Sequence, residues 1–154
     1  MAVSAVAALS LLFSSSAVAT ADPVAPQENT PCPANAAGAM TLLPDGKTPL
    51  MCRDQQWQAS ANPFPPSDRW LSYGPAMVLH GEGLRNPSLR SGNWSATPQE
   101  SSTRCSAEQS AVLGPGVVGS PETSEGTPGQ PIDLRVLPRL YSIELSGYCL
   151  WVRD

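Results

Sequence analysis

The chain has 154 residues, the size of one domain, with nine Lys and Arg against thirteen Asp and Glu for a net charge of −4. An acidic chain offers no basic stripe to a phosphate backbone, so nucleic acid is not an expected partner. Charged residues make up only 14% and Trp occurs four times, which excludes a solvated, disordered polymer; 17 Pro and 12 Gly exclude a bundle of long helices.

Residues 1–21 contain no Asp, Glu, Lys or Arg, and Ala2 to Phe13 is apolar apart from Ser4 and Ser10. Small residues follow, through Ala19-Thr20-Ala21. An apolar stretch ending in small-x-small is the layout of a secretory signal peptide, with cleavage expected before Asp22 and a competing site after Ala17-Val18-Ala19. The usual basic start is missing, since the first basic residue is Lys47. The apolar stretch is short of the ~20 residues a spanning helix needs, and no later run reaches that length. No membrane span is therefore expected once the signal is removed.

This Ala/Ser/Val-rich segment, ending in Ala-x-Ala before Asp22-Pro23-Val24, resembles the N-termini of small secreted proteins of mycobacteria and related actinobacteria. The resemblance implies export to the cell envelope or the medium and carries no catalytic residue with it.

Residues 22–38 hold Pro23, Pro26, Pro31 and Pro33 and read as a flexible leader. In 39–57, M-T-L-L and T-P-L-M-C flank Pro44-Asp45-Gly46-Lys47, a turn signal because Gly tolerates positive φ. This is expected to be a hairpin closed by Cys32 and Cys52. Residues 58–68, with three prolines, read as a linker to a β domain over 69–154. Within that domain, strands are expected at Ala76–His80 and at Asn93–Thr97, and either a strand or a short helix turn at Arg104–Gln109, with Ala111–Leu113 as its continuation. Residues 114–131, with five Gly and four Pro, read as one long flexible loop. Ile132, Leu134 and Val136 alternate with polar residues, and so do Tyr141, Ile143 and Leu145, the period-two signature of strands with one wet face. Gly147 then permits a bulge before Tyr148, Leu150 and Val152. The expected fold is all-β: a small disulfide-stabilised antiparallel sandwich or partial barrel with long Gly/Pro-rich loops.

Four cysteines, Cys32, Cys52, Cys105 and Cys149, allow three pairings. Their spacing lacks the close pairs of a zinc site, so two disulfides are expected and no metal or other cofactor. Cys32–Cys52 with Cys105–Cys149 is preferred, because each bridge then lies within one expected unit.

Catalytic motifs are absent. His80 is the single imidazole, no serine stands in G-x-S-x-G, and Glu82, Glu100, Glu108 and Asp133 are candidate carboxylates among which nothing selects a pair. No catalytic residue is assigned. The expected function is a secreted, non-enzymatic binding module whose partner is an envelope protein or polysaccharide. The alternatives are a small secreted hydrolase and a structural accessory subunit of an envelope complex. Tryptophans usually fill the core of so small a domain. Trp94, between Asn93 and Ser95, is the expected exception, and with Arg85 and Arg90 it makes up the candidate binding surface.

Overall fold

The computed structural model describes residues 23–154. The expected signal peptide lies outside the described residues. Ten strands follow one 3-10 turn at Ala34–Ala36: β1 Met40–Leu42, β2 Pro49–Arg53, β3 Gln56–Ala59, β4 Arg69–His80, β5 Gly92–Pro98, β6 Ser106–Gly114, β7 Val117–Val118, β8 Glu122–Glu125, β9 Ile132–Val136 and β10 Leu140–Arg153. The fold is all-β, mostly antiparallel, and carries two disulfides.

The long antiparallel pair β4–β10 is its spine. One edge of β4 continues through β1, β2 and β3, with β1 parallel to β4 at Met40 and Trp70. The other edge of β10 divides: its first half pairs β6, its second half β5, and β5 leads on to β9. The division coincides with a bulge at Gly147, whose φ is +90° and whose missing Cβ would lie 2.1 Å from the Arg104 carbonyl oxygen. Only glycine fits both the backbone angle and that approach.

The main core gathers Trp70, Trp94 and Trp151 with Leu79, Val136, Leu140, Ile143 and Leu145, between the spine and the β5–β9 pair. A second core, on the opposite face, holds Ala36, Leu50, Trp57, Leu71 and Leu150 around Cys32 and Cys52. Neighbours Trp70 and Leu71 therefore enter different cores, as the alternation of a strand buried on both faces requires. Ser72 ties the spine from within. Its Oγ donates to the Gly147 carbonyl at 2.6 Å and accepts from Trp151 Nε1 at 2.9 Å.

Both expected disulfides form, each with its Cα atoms 5.9 Å apart. The hairpin at Asp45-Gly46 is also found: Gly46 has φ +66°, and Asp45 Oδ1 accepts from the backbone N–H groups of Lys47 and Thr48 at 2.8 Å.

Four expectations need correction. The hairpin is not a separate unit, because β1 joins the same sheet as β4. Residues 29–38 of the expected flexible leader are docked. Trp57 exchanges backbone hydrogen bonds with Asn29 and Thr30, Cys32 N–H donates to Gln55 O, Gly38 N–H donates to Cys52 O, and Ala36 is fully buried. Proline removes donors but leaves carbonyls and the intervening N–H groups free to pair. The expected 58–68 linker begins inside β3, and its Phe64 packs edge-on against Trp70 with ring centroids 5.8 Å apart. The Gly/Pro-rich stretch 114–131 contains β7 and β8, both paired with β6.

Candidate functional site

Trp94 does not belong to a binding surface. It is 1% exposed, sits in the main core, and donates from Nε1 to Arg90 O at 3.0 Å. A strand with one wet face carries polar neighbours on either side of a buried ring, so Asn93 and Ser95 are what burial of Trp94 looks like in sequence. Arg90 is exposed but engaged: its guanidinium meets Asp68 at 3.0 Å, and Arg153 approaches the same carboxylate at 3.8 Å. Arg85 is exposed and belongs to no ion pair among the described residues. The three expected surface residues thus do not form one site.

The candidate carboxylates are dispersed as well. Glu82 accepts from Ser91 N–H at 2.8 Å. Donation from the Ser91 hydroxyl and backbone N–H, aided by Arg153 and Arg90, holds its carboxyl below the ordinary range. A carboxyl with a lowered folded-state pKa stabilises above its unfolded pKa, and that contribution is lost as the pH falls through the folded value. In Glu82→Gln, acid unfolding is expected to begin at a lower pH relative to that variant's own neutral stability, as followed by circular dichroism. Glu108 stands opposite Glu144 on the exposed face of β6 and β10, and Asp133 stands opposite Ser95 on β9.

Several concavities indent the surface. One, about 350 Å³, lies at the end of β4 and is lined by Lys47, Asn62, Phe64, His80, Asn86 and Ser88, among others. Ser88 is tied to the His80 backbone, donating its N–H to His80 O at 2.7 Å.

A larger one is an open groove of about 750 Å³ between residues 23–33 and the sheet face over the second core. Trp57, Leu71, Tyr73 and Tyr148 line its floor, Glu100 its rim, and Pro23, Pro26, Pro31 and Pro33 its far wall. The Cys32–Cys52 bridge and the pairing of residues 29–32 with β3 hold that wall in place. Tyr73 is committed, donating its hydroxyl to Leu42 O at 2.9 Å. Tyr148 is half-buried; burial, and after it the Glu100 carboxylate, raise its phenol above the ordinary value. The groove therefore offers a partly exposed aromatic ring, a carboxylate beside it and a wall preset by prolines. Sequence reading did not single out Tyr148 or Glu100 as a pair. They are brought together by the backbone N–H of Gln99 donating to Tyr148 O at 2.9 Å, a long-range bond with no local signature.

Among the described residues, no group of three His, Cys, Asp or Glu side chains is placed to hold a metal ion, and no helix is long and apolar enough to cross a membrane. The two disulfides point to an oxidising, extracytoplasmic environment. No protein-family model matches this chain, and neither a curated protein nor a solved structure does.

Proposed function

We propose that this chain is a secreted, non-enzymatic binding domain of the cell envelope or medium, and that it holds a polysaccharide chain in the groove beneath residues 23–33. The observation that carries this reading is that Tyr148 and Glu100 line one open groove of about 750 Å³. A tyrosine face receives the C–H face of a sugar ring, and a neighbouring carboxylate accepts hydrogen bonds from its hydroxyls. The proline-containing wall is held in place before any ligand arrives, so little ordering entropy is lost on binding.

The test is binding of the disulfide-bonded protein to a panel of soluble envelope polysaccharides by isothermal titration calorimetry. Tyr148→Ala is expected to weaken binding by about 1–2 kcal/mol, the value of one aromatic contact, with His80→Ala leaving it unchanged. Parent-like affinity in Tyr148→Ala, or loss in His80→Ala without loss of folding, would displace the reading.

A further inference from the structure

Seven large apolar side chains are substantially exposed among the described residues, and five of them occupy one end of the molecule. Leu113, Val117 and Val118 lie on the β6–β7 hairpin, Leu84 on the loop after β4, and Tyr141 at the start of β10; each is between 37% and 64% exposed. Backbone contacts tie the three segments together. Val112 N–H donates to Arg139 O at 2.8 Å, and Gly83 N–H donates to Leu140 O at 2.8 Å. A Cβ on Gly83 would lie 2.4 Å from Arg139 O, and one on Gly81 would lie 2.2 Å from the Leu140 Cβ. Glycine at 81 and 83 is therefore what lets the Leu84 loop lie directly on the β9–β10 turn. The hairpin runs past that turn, since pairing of β6 with β10 ends at Ala111 and Leu140.

The charge at this end opposes that of the whole chain. Residues 110–121 contain no charged side chain, and residues 137–143 contain only Arg139. Arg85 and Arg139 are exposed and belong to no ion pair among the described residues, whereas the one carboxylate of the Leu84 loop, Glu82, is engaged by Ser91. The chain as a whole carries −4.

We infer that this end docks on the surface of an anionic lipid bilayer. The Leu113/Val117/Val118 tip enters the headgroup–acyl boundary, Tyr141 lies at the polar interface, and Arg85 and Arg139 meet lipid phosphates. Short aliphatic side chains on a Gly-Pro-Gly turn, with arginines set back from them, match the two-part recognition of an anionic bilayer: apolar burial plus electrostatic attraction. A protein partner of ordinary size is anchored by buried aromatic residues across a broad face, whereas this tip is aliphatic. The inference is independent of the groove, which is lined by none of these residues.

The test is co-sedimentation of the disulfide-bonded protein, purified from the periplasm or medium of an expression host, with phosphatidylglycerol-containing and pure phosphatidylcholine vesicles. The parent is expected to bind the anionic vesicles, and to be released as salt is raised. Leu113→Ser/Val117→Ser should lower the partition coefficient roughly tenfold. Arg85→Gln/Arg139→Gln should lose the preference for anionic lipid while retaining the parent's urea midpoint. Absence of binding by the parent, or equal binding by the Leu113/Val117 variant, overturns the inference. So does light scattering that shows a concentration-dependent dimer abolished by the same variant, which would assign the tip to a second copy of the chain.

Discussion

Replacing Cys105 and Cys149 together with alanine is expected to destabilise the protein more than replacing Cys32 and Cys52. In the chain-entropy account, a bridge spanning 44 residues contributes about 4 kcal/mol and one spanning 20 about 3 kcal/mol. That difference alone is small, and position enlarges it. Cys105 and Cys149 are wholly buried in the main core. Cys149 follows the Gly147 bulge, where β10 passes from β6 to β5. Their bridge pins the entry to β6 against the spine just where main-chain pairing changes partner. Losing it loosens β6 together with β7 and β8, which reach the rest of the sheet through β6. The shorter bridge sits in the second core, where Leu50, Trp57 and Leu71 still pack and residues 29–32 still pair with β3. Urea unfolding of the two double variants under non-reducing conditions measures the comparison; equal or reversed losses would count against this ordering. Either loss is a large share of the ~5–15 kcal/mol typical of a domain.

The Cys32–Cys52 variant is informative in a second way, because that bridge anchors the wall of the groove. It should lose polysaccharide binding well before it loses the fold. Tyr148→Ala, by contrast, should lose binding with little change in stability, since its ring is only half-buried.

Local patterns in the sequence are enough to locate β9, β10 and the Asp45-Gly46 hairpin. The strands and the hairpin rest on short-range rules, alternation and a turn dipeptide, whereas the cysteine pairing rests on a division into two units that the shared sheet does not keep. The errors fall where a distant segment decides. Tyr141 belongs by alternation with Ile143 and Leu145, yet it is exposed, because a register shift between Leu140 and Ser142 turns Leu140 inward in its place. The parallel contact of β1 with β4 rests on one residue pair, Met40 with Trp70, separated by two strands and a proline-rich segment. Nothing in the sequence of 22–38 announces the docking of residues 29–32, whose order comes from carbonyls and N–H groups paired with residues 55–57. The membrane-facing end could not be assembled from sequence either. Leu84, Leu113 and Tyr141 are isolated apolar residues until Gly83 and Arg139 bring their loops together. The candidate groove was hidden for the same reason, with Glu100 and Tyr148 far apart in the chain.

Gln109 is the residue whose importance sequence conceals most, and its replacement carries the second large expected effect. It lies on β6 and is almost fully buried, in a strand otherwise paired with β10 and β8. Its side chain reaches the far end of β9: Nε2 donates to Arg135 O at 2.9 Å and Oε1 accepts from Leu137 N–H at 3.1 Å. One amide thereby does across the gap what a strand ladder would do, and it caps the free edge of β9 next to the β9–β10 turn. Gln109→Met keeps the length and apolar stem but leaves a carbonyl and an N–H without partners. At about 1–3 kcal/mol for each orphaned group, with partial hydration at the edge, a loss of about 2–4 kcal/mol is expected in urea unfolding. Gln109→Glu separates hydrogen bonding from packing. The protonated acid can still donate to Arg135 O and accept from Leu137 N–H, whereas the carboxylate cannot donate and is buried as a charge. Its folded-state pKa is therefore raised above the unfolded value. The side chain stabilises below the unfolded pKa, and that contribution is lost as the pH rises through the folded one. Gln109→Glu should accordingly approach parental stability in mild acid and fall to the level of Gln109→Met, or lower, at neutral pH. A pH-independent deficit in Gln109→Glu would show that the amide fills space there and does not close the sheet.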